Sequence, residues 1–197
     1  MMKVSFKQRF GAYLIDLMVL IGVFSLIYFF VPSNKENTLL EQELNTLNES
    51  FIKEEVVLKE YFQEYSNIIY NLDKNNMINS IINIIVLVIY FIAVPFITNG
   101  KTLGKYILGI KITSKNKESL TISGLIIRNL VFNGLIYLIG SLILLLITSG
   151  TTYFILLIIL GIIQIILSLI SIFMVIYRKD FRGLHDILSN TVVLRGE

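Results

Sequence analysis

The chain has no cysteine, one histidine and few charged residues. The absence of cysteine excludes disulfide bonds, thiolate metal sites and cysteine nucleophiles. With a single histidine we expect no metal site, and we expect no other cofactor. Asp, Glu, Lys and Arg make up only 16% of the 197 residues, whereas 55% are hydrophobic and the mean hydropathy is +0.75. A soluble globular domain is about 25% charged, so this composition indicates a different class of protein.

Long apolar runs occupy most of the chain. They cover residues 10–31, 77–97, 124–147 and 153–177. A helix rises about 1.5 Å per residue and the hydrocarbon core of a bilayer is about 30 Å thick, so about 20 residues cross it. Each run reaches that length. We therefore predict an all-α membrane protein in the lipid bilayer, with one domain built as a four-transmembrane-helix bundle.

The basic residues are distributed unevenly between the loops. Only four of the 17 Lys and Arg residues lie between the first two runs, among an excess of acidic residues. Basic residues accumulate on the cytoplasmic side of membrane proteins. We therefore predict a multi-pass protein of the cell membrane with both termini and residues 98–123 in the cytoplasm. The pI of about 9.0 then reflects this sidedness, and no nucleic-acid partner is expected.

The polar segment at residues 33–76 has a helical period. Its apolar residues recur at alternating steps of four and three, broken only where Glu54 or Glu55 occupies the stripe. This pattern predicts an extracytoplasmic insertion of one or two amphipathic helices. The insertion either packs on itself and on the outer face of the bundle, or contacts a partner or substrate. The stripe consists of Leu40, Leu44, Leu47, Phe51, Leu58, Tyr61, Tyr65, Ile68 and Leu72.

Asp16 is an acidic residue inside the first apolar run. An aspartate near the middle of a span costs about 2.5 to 3.5 kcal/mol on insertion scales, so it needs a compensating partner. Arg9 lies about 10 Å away along the helix axis. Arg128 lies at a depth similar to that of Asp16, because both of their helices enter from the cytoplasm. We hypothesise an Asp16 to Arg128 ion pair, which either fixes the packing of the helices or takes part in transport.

A basic cytoplasmic loop follows the second run and includes Lys101, Thr102, Gly104 and Lys105. We expect it to be a re-entry segment whose lysines meet anionic head groups. Its Gly-Lys-Thr triplet does not predict nucleotide binding, because Pro95 stands where the phosphate-binding motif requires glycine. Pro95 itself is expected to kink or end the second span.

The C-terminal segment contains the only histidine, His185, next to Asp186. An imidazole titrates near neutral pH, so the pair is suited to accepting and passing a proton. The alternative is a cap or salt bridge at the membrane face. One histidine and one aspartate do not make a metal site.

Several motifs together extend over nearly the whole chain. They are residues 9–16 (RFGAYLID), 100–105 (GKTLGK), 109–112 (GIKI), Arg128 and residues 183–193 (GLHDILSNTVV). In these motifs the chain resembles the RDD family of small bacterial membrane proteins, which is named for one arginine and two aspartates. The resemblance implies that Arg9 and Asp16 are the family's arginine and first aspartate, and that Asp186 is the second. Residues 33–76 are then an insertion relative to the shortest members.

The resemblance implies transport as the general function. We predict the exchange of a proton for a small cation, with Asp16 as the exchanging group and Arg128 or Arg9 as its modulator. Asp186 with His185 is the predicted cytoplasmic relay. Four spans make a small transporter, so a homo-oligomer is expected. The alternative is a non-transporting membrane adaptor or assembly factor that binds a partner or lipids. An enzyme is not expected, because no nucleophile with a base and an orienting group can be assembled.

Overall fold

The computed structural model of the chain describes residues 4–31, 34–116 and 119–196 and is mostly helical. Ser33, with which the predicted polar segment begins, lies outside the described residues. In chain order the described elements are α1 (Phe6–Phe29), α2 (Lys35–Ile52), α3 (Leu58–Asn75), α4 (Met77–Val88), a π-helical turn (Ile89–Ala93), α5 (Val94–Ile97), α6 (Leu103–Ile107), β1 (Ile110–Ser114), α7 (Ile122–Phe132), α8 (Leu135–Ile147), α9 (Gly150–Tyr177), α10 (Leu184–Leu188) and β2 (Thr191–Arg195).

The first helix presents many large apolar side chains outwards and buries only one narrow face. Its buried residues are Ala12, Asp16 and Leu20, which share one face at a spacing of four. Met18 is 71% exposed and Leu26 is 67% exposed. A helix on the surface of a soluble protein shows the opposite arrangement. The outer face of α1 therefore suits contact with lipid.

Three helical segments are long and apolar enough to cross a membrane: α1, residues 77–97 and α9. The structure thus confirms helices of spanning length at three of the four predicted runs. The first of them begins at Phe6 instead of Phe10, and the last begins at Gly150 instead of Tyr153. At 28 residues, α9 is about 42 Å long and exceeds the thickness of the hydrocarbon core.

The second span contains a π-helical turn just before Pro95. Proline has no backbone N–H, so the carbonyl of Phe91, four residues earlier, loses its helical partner. The side chain of Asn129 replaces that partner, because its Nδ2 donates to the Phe91 carbonyl at 3.0 Å. The proline lies in the last turn of the span, which ends at Ile97, and the freed carbonyl connects this span to α7.

The third apolar run is broken, and the prediction of one helix over residues 124–147 is wrong. It forms α7 and α8, which are bent by 80° relative to each other. Gly134 lies at the break with φ +79, a left-handed conformation that glycine adopts without steric cost. The two halves are about 16 and 20 Å long, so neither crosses a bilayer alone. The helices α7 and α8 provide a fourth span only if the bent pair is counted as one span.

The polar segment forms two helices, as its period predicts. The first, α2, packs on α3, and α3 packs on the beginning of α9. The hydroxyls of Ser66 and Thr151 lie 3.0 Å apart, and Tyr153 donates to Asp73 at 2.7 Å. Within the apolar stripe, Leu47 and Ile68 are buried, whereas Leu58 is 69% exposed. Aromatic contacts join the two helices at Phe51 and Tyr61 and join α3 to α9 at Tyr65.

The all-α prediction omits a two-stranded antiparallel sheet. Strand β1 pairs with β2 in the register Ile110 to Arg195 and Ile112 to Val193. Ile110, Ile112 and Val193 are buried and form part of the hydrophobic core. The residues of β1 alternate between apolar and polar, which is a strand pattern. Its partner lies about 80 residues further along the chain, so the pairing is not visible locally.

Candidate functional site

The carboxylate of Asp16 is fully buried and is surrounded by donors. Tyr90 and Thr102 donate their hydroxyl groups to it at 2.7 Å each, and the backbone N–H of Gly104 donates at 2.8 Å. Lys105 forms the ion pair, with its Nζ 3.3 Å from Oδ2. We call these five residues the Asp16 cluster. Every donor except Tyr90 comes from the basic loop, which therefore folds back onto α1.

The predicted ion pair between Asp16 and Arg128 is wrong. The partner of Asp16 is Lys105, and Arg128 binds Asp186 instead. The basic loop returns to the bundle, as expected of a re-entry segment. Lys105, however, lies inside the protein and binds Asp16 instead of facing the lipid head groups. Lys101 lies apart from the cluster, with its Nζ 5.9 Å from the centre of the Tyr106 ring.

The local fold of the basic loop explains how it reaches Asp16. Thr102 is the N-cap of α6 and accepts the N–H of Lys105 at 3.5 Å, so the threonine hydroxyl both starts the helix and binds Asp16. Gly104 passes so close to α1 that an added Cβ would collide with the carbonyl oxygen of Ala12. The added Cβ would also lie only 2.8 Å from Asp16 Oδ1. Only glycine fits this contact.

Replacing Gly104 with alanine is expected to destabilise the protein by about 1 to 3 kcal/mol, the usual cost of forcing atoms into a packed interior. The measurement is the free energy of unfolding in detergent. Gly22→Ala is the matched control, because a Cβ on that α1 residue meets nothing within 4 Å. Equal stability of the two variants would contradict a close contact between α6 and α1.

Asp186 is the second fully buried carboxylate, and two arginines bind it. Arg9 of α1 donates from Nη1 at 2.7 Å, and Arg128 of α7 donates to the other carboxylate oxygen. Arg182 is also buried, and its guanidinium donates to the backbone carbonyls of Asp186 and Thr191. We call these residues the Asp186 cluster. It joins the beginning of the chain, the third run and the C-terminal segment.

The side chain of Asp186 also starts α10. Its Oδ2 accepts the backbone N–H of Gly183 at 3.1 Å, which satisfies a donor at the helix beginning. This agrees with the capping alternative raised by the sequence. The neighbouring imidazole of His185 contacts the Ser171 hydroxyl through Nδ1, and its Nε2 lies 3.5 Å from Asp186.

The surroundings of this pair lower the pKa of both groups. Burial alone would raise the pKa of Asp186, but the charges of Arg128 and Arg9 outweigh it and hold the pKa below its usual range. Burial lowers the pKa of His185 to about 3. Near neutral pH the carboxylate is therefore charged and the imidazole neutral. The role of His185 and Asp186 as a cytoplasmic relay stays a prediction.

One known protein family matches most of the chain. The model of the RDD family matches residues 3–190. The chain belongs to the RDD family. No curated protein and no solved structure matches it.

In this RDD protein, the three residues that the resemblance assigns to the family motif form two separate sites. Arg9 binds the second aspartate, Asp186, and the first aspartate, Asp16, binds Lys105. The sequence did not single out Tyr90 or Arg182. Tyr90 was detectable as a hydroxyl within an apolar span, whereas nothing in the sequence distinguishes Arg182 from the surface arginines around it.

The two clusters of this RDD protein border the same cavity, which has a volume of about 240 Å³. Thr102 and Lys105 of the Asp16 cluster lie in its wall, as do Arg9, Arg128 and His185 beside Asp186. Such a cavity is large enough to hold several water molecules. The ammonium of Lys105, which is paired with Asp16, therefore borders a space that water can fill.

Proposed function

We propose that this RDD protein exchanges a proton for a small monovalent cation at the pair formed by Asp16 and Lys105. The observation that carries the proposal is a fully buried carboxylate whose charged partner is a lysine in the wall of a cavity. Intramembrane carboxylates with such partners are typical of ion and proton pathways. Asp16 thus keeps its predicted role as the exchanging group, and Lys105 replaces Arg128 or Arg9 as its modulator.

The exchange follows from competition for one negative charge. When Lys105 carries its proton, the ammonium neutralises Asp16 and no further cation is required. When Lys105 releases that proton, the carboxylate keeps only neutral donors, and a small cation entering the cavity restores neutrality. The oxygens of Asp16, Thr102 and Tyr90 are ligands that hard cations prefer. One proton leaves as one cation binds, so the charge of the site is unchanged.

The environment of Lys105 supports its role as the proton carrier. Burial lowers the pKa of its amine, and the nearby charge of Asp16 opposes that effect only in part. The ammonium therefore loses its proton at a lower pH than a lysine in water. Cation binding should rise with pH through this pKa, because deprotonation releases Asp16 from its ion pair.

The proposal includes the arrangement in the membrane. The bent pair of α7 and α8 serves as the fourth span, both termini face the cytoplasm, and residues 33–76 face outwards. The excess of basic residues outside that segment supports this orientation. In the cell membrane, both clusters then lie near the cytoplasmic surface. Transport through so few spans favours a homo-oligomer, and enzymatic activity and cofactors are not part of the proposal.

The direct test counts protons released when a cation binds. We expect the purified protein in detergent to release about one proton for each Na⁺, Li⁺ or K⁺ bound, and proteoliposomes to move protons along a cation gradient. Lys105→Gln is expected to abolish the release, because glutamine has no proton to lose. Lys111→Gln, a lysine of β1 outside the cluster, is the matched control. Absence of release from the native chain with all three ions would contradict the proposal.

A binding function is the second candidate, and the surface of α2 favours it. Of its described residues only Leu47 is buried, whereas Leu39 is 60% exposed and Ile52 is 79% exposed. Exposed apolar side chains on a helix outside the spans are suited to a protein partner. An adaptor predicts a defined partner that copurifies with the native chain and is lost from a Leu39→Glu, Ile52→Glu variant. It also predicts no proton release by cations.

A further inference from the structure

The cavity between the two clusters has positively charged and apolar walls. Three of its lining side chains are cations, namely Arg9, Lys105 and Arg128, and no carboxylate of the described residues lines it. The side chains of these three cations are only 11 to 13% exposed. Aromatic rings form much of the remaining wall: Phe6, Phe10, Phe91 and Phe132.

Positive charge exceeds negative charge around this cavity. Within the described residues, Asp16 and Asp186 are the buried carboxylates that face the three lining cations and the buried Arg182. Asp180 is bound to Arg178 at the surface. Each of these cations has a partner, but only two carboxylates face four positive side chains, and a guanidinium cannot restore the balance by losing its proton. The site therefore favours an additional anion.

Two polar atoms at the cavity also lack partners. Arg9 uses Nη1 for Asp186 and Nη2 for the Val193 carbonyl, but its buried Nε has no acceptor among the described residues. The buried Oδ1 of Asn133 likewise has no donor in that part of the chain. Buried polar groups in native proteins are nearly always hydrogen-bonded, so these two atoms indicate a missing ligand or ordered water.

We infer that the cavity binds an organic anion, which is a carboxylate or phosphate carried on an apolar body. The anionic group contacts Arg9, Lys105 and Arg128, whose donors match the oxygens of such a group. The apolar body lies against the rings of Phe10 and Phe132. A few convergent polar groups in a largely apolar pocket are typical of small-molecule sites. The anion binds while Lys105 carries its proton, which is the cation-free state of the proposed exchange, so the inference does not rest on that exchange.

The anion has two possible sources, a soluble amphiphile or an anionic phospholipid. Phe10 borders the cavity and is 49% exposed, so the cavity lies near the outer surface of α1. A lipid head group with part of its chain can enter from that side, and a soluble amphiphile can enter from water. Both present the same chemistry to the three cations.

The absence of tryptophan provides a clean optical test. Phe10→Trp places the only indole of the protein in the cavity wall. In an uncharged detergent, we expect its fluorescence to change saturably with octanoate and not with octanol, which has the same chain but no charge. In nanodiscs of phosphatidylcholine, addition of phosphatidylglycerol tests the lipid. A response to either anion supports the inference and identifies the source of the anion. If the fluorescence responds to neither anion, the inference is overturned.

Variants on the Phe10→Trp background distinguish specific binding in the cavity from non-specific attraction of anions to a basic protein. Arg9→Gln is expected to weaken binding of the responding anion about tenfold or more, as loss of a hydrogen bond to a charged group implies. Lys7→Gln, an exposed lysine two residues earlier, should leave it unchanged. Val175→Phe keeps every charge but fills the cavity, so it should also abolish binding. Equal effects of the Arg9 and Lys7 variants, or full binding by the Val175 variant, would contradict the inference.

Discussion

Asp16→Asn is expected to abolish cation-dependent proton release and to destabilise the protein by about 3 to 5 kcal/mol, the range seen when one partner of a buried ion pair is removed. The substitution keeps the size of the side chain but leaves the ammonium of Lys105 buried without its counter-charge. Without a carboxylate, the site also has no negative charge for which a proton and a cation compete. Proton release in detergent and unfolding by denaturant measure the two effects separately.

A double variant distinguishes loss of function from loss of fold. Asp16→Asn with Lys105→Met removes both charges, so it should recover much of the stability while remaining inactive. Asp73→Asn is the matched control, because Asp73 is a partly buried carboxylate that accepts from Tyr153 outside both clusters. Normal proton release from the double variant would show that Asp16 and Lys105 do not carry the exchange.

Asp186→Asn is expected to be the most destabilising single substitution at the site. Asp186 is the shared partner of Arg9 and Arg128, so its neutralisation leaves two buried guanidinium groups without their counter-charge. We expect a loss of about 3 to 5 kcal/mol or more in the free energy of unfolding. The variant should show this loss in any uncharged detergent, because the contacts lie inside the protein.

Asp180→Asn is the comparison for Asp186. Asp180 also pairs with an arginine, Arg178, but at the surface, where water screens the interaction. We expect little change in stability from this variant. Similar stability of the two variants would mean that the Asp186 cluster does not hold the helices together.

The Asp186 cluster explains why the family motif is spread over the chain. Arg9 lies at the beginning of α1, Arg128 in α7 and Asp186 in the short helix that follows the last span. Two charge-assisted contacts to one carboxylate join these three elements at the same end of the bundle. Arg9 and Asp186 therefore act as a structural connection, and Asp16 is left for the proposed exchange.

The sequence alone determined those features that depend on local pattern. Apolar runs of sufficient length predicted helices at three spans, because every backbone polar group in lipid must be satisfied within its own helix. The steps of four and three in residues 33–76 predicted the α2 and α3 helices, since that spacing places apolar side chains on one face. The buried position of Asp16 also followed from its location within an apolar run.

Only the tertiary structure decided which charges meet. The sequence suggested Arg9 or Arg128 as the partner of Asp16, and the actual partner, Lys105, reaches it because Gly104 lets α6 approach α1 closely. The bend at Gly134 and the pairing of β1 with β2 likewise depend on contacts between distant segments. Hydrophobicity specifies that a segment is buried in lipid, but it has no direction. Ion pairs and hydrogen bonds need specific distances and angles, which exist only after the helices have packed.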